Sequence, residues 1–280
     1  MTLKDLIQTA LREDMPSGDV TTDSMALGIV QGRARLIAKA ELVLSGTQVF
    51  EQTMLTMEPT CQIKWHFRDS EEVLPRQTIC SIQGNLIQIL KAERVALNFL
   101  GHLSGVATLT RKFVKEVAHT KTRILDTRKT LPAYRELEKK AVVHGGGVNH
   151  RLNLSQAILV KENHILVAGS MTRAVQRIRQ YASLPIEVEA RTLNEVQEAV
   201  ELKVQRILLD NMDDAQLAEA LKLIPPGISS EASGNMKIER VRQVAELGVD
   251  FISVGALTHS APAADLSLIF DWQDAQSIEE

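Results

Sequence analysis

Between residues 123 and 257 the chain repeats one pattern: a short apolar run, a polar residue, then a stretch with helical spacing. Six such runs stand in order: "RILDT" (123–127), "AILVKENH" (157–164), "IEVEA" (186–190), "RILLDN" (206–211), "ISSEASG" (228–234) and "FISVGAL" (251–257). Strands that alternate with helices pair in parallel, because parallel neighbours need helical crossovers, and a series of such units makes a parallel sheet or a barrel. One intervening helix opens on "TLNE", where Thr192 and Glu195 form a capping box ahead of the apolar face of Val196, Ala199 and Val200.

The chain before residue 110 has a different texture. Leu3, Leu6, Ile7, Ala10 and Leu11 recur at helical spacing, and "EDMPSGDVTTD" breaks that helix. From 32 to 84, "GRARLIAKAELVLSG", "QIKWHF" and "TICSIQG" alternate polar with apolar residues, as half-buried strands do. Helical spacing returns from 88 to 118, with Gly101 and Gly105 on one face, where another backbone can come close. That backbone belongs either to the same chain or to a second subunit. The division expected is an α+β domain with its linking helix over 1–110 and a barrel over 111–280, the extreme C-terminus being a candidate to pack back on the first domain.

With 280 residues, 44% of them hydrophobic, the chain can bury a large core. A net charge of -3, from 32 basic and 35 acidic side chains, gives no reason to expect nucleic acid or an anionic membrane as partner. The acidic, amphipathic start does not match a signal peptide, and the apolar run 95–109 is interrupted by His102 and too short to span a bilayer. Cys61 and Cys80 lie in alternating apolar stretches without metal-ligand or redox spacing. They read as buried thiols of a cytoplasmic protein.

Each of the six runs ends near a residue that is costly to bury unpaired: Asp126, Lys161, Glu189, Asp210, Ser233 and Ser253. In a barrel of parallel strands the C-terminal ends converge on the face that carries active sites, so these ends imply one polar mouth. Arg128, Lys129, Arg135, His150, Arg151 and Lys161 would make one half cationic, and guanidinium and imidazole match planar carboxylates. Glu189 and Asp210, from adjacent strands, would make the other half suited to hydroxyls or Mg²⁺. Small residues in "SGN" (Ser233, Gly234, Asn235) and "SVGA" (Ser253 to Ala256) offer backbone amides to a phosphate. The glycine triplet of "HGGGVNHR" (144–151) also suggests, at first, a phosphate cradle. A phosphoribosyl donor beside a small anionic acceptor satisfies all three parts. The residues alone also admit an aldolase forming a Schiff base at Lys161, although the neighbouring Glu162 and nearby arginines suggest an ion-pairing lysine.

The motifs "EDMPSGDVTTD", "ERVALNFLGHLSGVAT", "LDTRKTLP", "AVVHGGGVNHRLNL", "LVKENHI", "IEVEA", "LLDNM", "EASGN" and "FISVGALTHS" run in order nearly end to end. In them the chain closely resembles the quinolinate phosphoribosyltransferase family, also called nicotinate-nucleotide pyrophosphorylase (carboxylating). The resemblance implies an N-terminal open-sandwich domain on an incomplete α/β barrel of about six strands. It implies transfer of phosphoribosyl from 5-phosphoribosyl 1-pyrophosphate (PRPP) to quinolinate with loss of CO₂, a Mg²⁺ requirement and a role in NAD biosynthesis.

Carried onto this sequence, the family pattern makes Arg128, His150 and Arg151 quinolinate ligands, with Lys129 and Lys161 adding positive potential. It makes Arg94 an arginine supplied by a neighbouring subunit, hence a homodimer, with higher assembly left open. Glu189 and Asp210 match the acidic pair near ribose and Mg²⁺, and with Lys129 and Lys161 they form the expected catalytic set. Ser233, Gly234, Asn235, Ser253 and Gly255 match the phosphate side. On this basis "HGGGVNHR" reads the acid: its glycines let the loop close over the pocket while His150 and Arg151 grip ring carboxylates. The chemistry then needs positioning more than any single general base. Two departures stand out, Ala133 where the family often has glycine and His144, read here as structural or solvent-facing. The alternatives are a related phosphoribosyltransferase with another acceptor, which an assay for CO₂ release separates, and a non-catalytic PRPP-binding protein, against which the intact Lys129, Lys161, Glu189 and Asp210 count.

Overall fold

The computed structural model describes residues 2–277. It contains helices α1 (Leu3–Asp14), α2 (Val20–Ser24), α3 (Thr47–Met57), α4 (Leu86–Val117), α5 (Arg135–His144), α6 (Glu162–Ala168), α7 (Met171–Tyr181), α8 (Leu193–Glu201), α9 (Asp214–Leu223), α10 (Ile238–Glu246) and α11 (Ala256–His259). Its strands are β1 (Val30–Ala38), β2 (Leu42–Val43), β3 (Gln62–Trp65), β4 (Glu72–Val73), β5 (Thr78–Asn85), β6 (Arg123–Leu125), β7 (Ile158–Val160), β8 (Ile186–Ala190), β9 (Arg206–Asp210), β10 (Ser229–Ser233), β11 (Phe251–Ser253) and β12 (Leu266–Ser277). The chain divides into two compact units, one of Met1–Leu109 with Leu131–Gly146 and Ala261–Glu280, the other of Thr110–Thr130 with Gly147–Ser260.

The first unit is built on an antiparallel sheet in the order β12-β1-β5-β3, with β2 and β4 paired apart from it. Along β1 the pleat buries Ala34, Leu36 and Ala38 and exposes Arg33 and Arg35, the alternation that the sequence shows. These inward residues join Phe50, Met54, Ile82, Leu86, Ile89 and Leu100 in one apolar cluster. Cys61 and Cys80 are buried free thiols, and burial pushes the Cys61 thiol up to about 11, so neither is poised for redox chemistry. The "TTD" of "EDMPSGDVTTD" continues into the short α2 because Asp19 caps it, accepting from the amides of Thr21 and Thr22. The C-terminal β12 pairs antiparallel with β1, Leu268 facing Leu36, which brings residues after 261 into this unit.

The Gly101 and Gly105 face of α4 receives a backbone of the same chain. The Ala264 amide donates to the Gly101 carbonyl at 2.8 Å, and a Cβ added at Gly105 would stand 2.1 Å from the Pro262 carbonyl oxygen. The spacing therefore serves intramolecular packing of the segment that leads into β12. The segment 131–146 holds Ala133 at φ 66°, the left-handed region that glycine enters without penalty. Its fully buried Glu138 accepts from the Leu131 amide at 3.1 Å, and Glu138 Oε1 stands 2.7 Å from His102 Nε2.

The second unit carries a six-stranded sheet, order β6-β11-β10-β9-β8-β7, with parallel pairing at each step. Edge strands β6 and β7 do not pair with each other among the described residues, so the sheet is an incomplete barrel, as the six runs predict. Five of the six runs form shorter strands than expected, most of all the second and the sixth. The run at 157–164 leaves the sheet after Val160, because Lys161 is the N-cap of α6, and the run at 251–257 ends at Ser253, with Gly255 capping α11. The Thr192–Glu195 capping box at the head of α8 is present.

Alternation sets the two faces of this sheet. Val188, Ala190, Ile207, Leu209, Ala232 and Ile252 form a buried apolar face. The residues between them, Glu187, Glu189, Arg206, Leu208, Asp210, Glu231, Ser233 and Ser253, project from the other side. No helix among the described residues is long and apolar enough to cross a membrane.

Replacing Gly105 by alanine should cost about 1–3 kcal/mol, as overpacking does, because backbone rather than a flexible side chain meets the new methyl. Urea unfolding of Gly105→Ala beside Gly101→Ala, whose Cβ would lie 3.2 Å from its nearest neighbour, should show the larger loss at Gly105.

Candidate active site

The polar face of the parallel sheet opens into a cavity of ≈ 310 Å³ at the C-terminal ends of the strands. Arg128 and Lys129 enter it after β6, Lys161 after β7, Glu189 from β8, Asp210 from β9, Ser233 from β10 and Ser253 from β11, and His150 and Arg151 enter from the loop after α5. The structure thus brings nine of the residues singled out from the sequence to one cavity. Leu159, Leu208, Thr127 and Glu231 line it as well.

The cationic half is held by backbone. Gly145 caps α5 and Gly146 follows at φ 93°, so two glycines of the triplet end a helix, a role the sequence reasoning did not give them. Val148 then bridges to Leu125 of β6, and the fully buried Asp126 accepts the His150 amide at 2.8 Å. Arg151 Nη1 donates to the Ala157 carbonyl at 3.0 Å. Burial, and then the neighbouring Arg128, hold the Arg151 guanidinium below its ordinary pKa, with Glu187 acting in the opposite sense. Lys129 is exposed, and its carbonyl accepts from Thr258 Oγ1 at 2.7 Å.

The anionic half is Glu189 and Asp210. Burial, and then the Asp210 charge, raise the Glu189 pKa, so the pair is short of positive charge. Lys161 Nζ stands 3.8 Å from Glu189, while Arg191 reaches Glu189 at 3.4 Å and Asp210 at 3.5 Å. The lysine is half-exposed and ion-paired, which favours the electrostatic role over a desolvated Schiff-base nucleophile. An all-oxygen donor pair deficient in positive charge suits a hard divalent cation.

The small-residue loops are tightly set. Gly234 has φ 94°, and a Cβ there would fall 2.1 Å from Asn211 Oδ1, so nothing larger than glycine fits. Asn235 is exposed and also left-handed, at φ 48°. A Cβ on Gly255 would crowd the Lys129 and His259 side chains. Ser253 is buried and donates to Glu231, so its hydroxyl is turned inward.

Gly234, Asn235 and Gly255 are not among the residues that line the cavity, and neither are Arg135, Arg94 and His144. Arg135 begins α5 in the first unit, so the basic pocket expected around it forms without it. Arg94 is an exposed residue of α4. His144, the last residue of α5, is a structural imidazole whose Nδ1 stands 2.9 Å from Ser45 Oγ. Sequence reasoning also missed Glu187, Glu231, Arg191 and Arg206. The signal was available: Glu187 and Glu189 are two apart in a five-residue strand, as are Glu231 and Ser233, and such pairs share a face.

A parallel-strand barrel with a cationic and an acidic half at its strand ends is the architecture of an enzyme acting on small anionic substrates. The chain belongs to the quinolinate phosphoribosyl transferase family: the model of its N-terminal domain matches residues 19–104 and that of its C-terminal domain residues 106–269. It is 42% identical over 267 residues to the probable nicotinate-nucleotide pyrophosphorylase [carboxylating] of Synechocystis sp., covering 94% of this chain and 90% of that protein. A quinolinate phosphoribosyltransferase [decarboxylating] of Nicotiana glauca is 37% identical, across 99% of this chain and 84% of the relative. Among solved structures, the nicotinate-nucleotide pyrophosphorylase from Francisella tularensis superposes with a TM-score of 0.92 at 37% identity, over 96% of each chain.

Beneath the cavity, burial and then Glu187 push Glu231 up to about 7, with His150, Ser253 and Arg206 acting in the opposite sense. A carboxyl whose pKa is raised on folding lends stability below its unfolded pKa and loses it as pH climbs through the folded value. Thermal stability should therefore decline from about pH 5 to pH 8, and Glu231→Gln should flatten that slope in melts followed by circular dichroism.

Proposed function

We propose that this chain transfers the phosphoribosyl group of PRPP to quinolinate, releasing pyrophosphate and CO₂ and forming nicotinate mononucleotide for NAD synthesis. The observation that carries the proposal is the pairing of Arg128 and Arg151 in one cavity, opposite the carboxylates of Glu189 and Asp210. A planar vicinal dicarboxylate matches the crowded cations, and a ribose with its phosphates matches the other half and the Ser233–Asn235 and Gly255 loops.

The ribose C1–oxygen bond to pyrophosphate breaks as the pyridine nitrogen forms its bond to C1. Positive charge grows on the sugar and negative charge on the leaving group, and Lys129 and Lys161 supply the positive potential that offsets the latter. The ring nitrogen, now quaternary, accepts the electron pair left when the adjacent carboxylate departs as CO₂, and a proton takes its place on carbon. Glu189 and Asp210 would hold Mg²⁺ or ribose hydroxyls, the metal supplying charge neutralisation to the pyrophosphate. Positioning by these groups accounts for the chemistry without one essential general base.

We further propose that the working form is a homodimer in the cytoplasm, with Arg94 completing the quinolinate pocket of the partner copy. The exposure of Arg94 on α4 and the buried free thiols support this.

Assay with quinolinate and PRPP should give stoichiometric CO₂, and its absence would favour another acceptor. Arg151→Ala should raise the KM for quinolinate by about ten- to a hundred-fold, the worth of a charged hydrogen bond, while the KM for PRPP moves far less. Equal losses for both substrates would remove the assignment. If the site is shared, mixing Arg94→Ala with Arg151→Ala, assayed at a quinolinate concentration low enough that each alone is nearly silent, should recover about a quarter of wild-type activity, since half of random dimers carry one intact site. No recovery would place Arg94 in its own subunit's site or outside it.

A further inference from the structure

Two buried acids beneath the cationic half have no part in the reaction as derived above. Glu187 on β8 and Glu231 on β10 flank His150, whose Nε2 stands 3.1 Å from Glu187 Oε2 and 3.7 Å from Glu231 Oε1. Their side chains are 9% and 0% exposed, against 10% for His150. Glu231 accepts from Arg206 at 2.9 Å and from Ser253, whereas Glu187 Oε1 is buried without a hydrogen-bond partner among the described residues. On the other side of the ring, Nδ1 accepts the Arg151 amide at 2.7 Å. A nitrogen that accepts carries no proton, so in this geometry the imidazole is neutral with its hydrogen on Nε2.

Glu187, Glu231 and Arg206 act on the ring, and Glu187 acts on Arg151 as well, while a buried carboxylate oxygen with an unmet acceptor favours positive charge nearby. Donor atoms of His150, Glu187 and Glu231 lie within 4.8 Å of one another, a spacing that a divalent cation could also bridge. A proton on His150 serves the two carboxylates without displacing Arg206 from Glu231.

We propose that Glu187 and Glu231 are positioning residues that act through His150: when quinolinate enters, the ring takes one proton from solvent at Nδ1 and releases the Arg151 amide, so that both become donors to the incoming carboxylates. A neutral His150 would instead turn the Nδ1 lone pair on the anion. The proton returns to solvent when the ligand leaves. In the free protein, burial pulls the His150 pKa down, but Glu187 and Glu231 outweigh it and Arg206, leaving it above the ordinary imidazole value. The two acids thus hold the ring ready to be charged. This inference rests on quinolinate being the acceptor.

Calorimetric titration of the full chain with quinolinate alone, at pH 8 in two buffers of different ionisation enthalpy, reads the proton directly. Wild type should take up close to one proton, roughly 0.5–1 per site, on binding. Glu187→Gln and Glu231→Gln should each at least halve that uptake and raise the KM for quinolinate about ten-fold, with kcat and the KM for PRPP within about three-fold. Glu187→Asp, which keeps the charge, should restore most of the uptake, and the Glu187 series alone decides if Glu231→Gln fails to fold. Binding to wild type without proton uptake, or full uptake in Glu187→Gln, overturns the proposal and leaves the quinolinate assignment standing. No binding and no turnover of quinolinate by wild type overturns both.

Discussion

The cationic half of the site hangs on one buried carboxylate. Asp126 stands just beyond β6 with no exposed surface, and it accepts the backbone amide of His150 at 2.8 Å. A hydrogen bond to a charged acceptor is worth about 1.5–3 kcal/mol. Through this bond and the Val148–Leu125 bridge, the loop carrying His150 and Arg151 is fixed to the strand whose continuation carries Arg128 and Lys129. Cations that repel one another are thus placed side by side before any substrate arrives. On the proposed function an anion would relieve that repulsion, which is how preorganised electrostatics contribute to binding and catalysis.

Each cluster of one sign in the second unit has its counterweight close by. Arg191 ties together Glu162, Glu189 and Asp210, and Arg206 pairs with Glu231 and lies 4.2 Å over the Phe251 ring. The acidic pair still lacks charge, since Glu189 is pushed up by burial and by Asp210 despite Lys161 and Arg191. Arg151 sits between Arg128 and Glu187, which act on it in opposite senses. On the proposed function, an organic dianion on one side and a diphosphate on the other would complement these two halves.

Much of this was legible in the sequence because the barrel repeats. A short apolar strand and its helical crossover recur, so the sheet, its parallel sense and the polar strand ends follow from period alone. What escaped was carried by spacing within strands or by partners distant in sequence. Glu187 and Glu231 sit inside their strands rather than at the ends, where attention falls, although the i, i+2 rule places them on the same face as Glu189 and Ser233. Lys161 reads as a strand residue until α6 is seen to begin beside it. The Gly101–Gly105 face signals close packing without saying against what, and the answer, residues 262–264, lies far along the chain. Likewise "HGGG" looks like an anion loop, yet Gly145 and Gly146 end α5.

Stability alone does not account for the polar inner face. Parallel barrels ordinarily fill their interior with branched apolar side chains, and this one does so on the opposite face, with Val188, Ile207, Leu209 and Ile252. Inside, it places Glu187, Arg206 and Glu231 where valine or leucine would pack. A buried ion cluster of that kind is often no more stable than an apolar replacement of equal volume, because desolvation of the charges offsets their attraction. The raised pKa of Glu231 is a direct sign of that cost. Residues that weaken the fold where they stand, and that flank the His150 imidazole beside the cationic half of the cavity, are what the positioning role proposed for them would require.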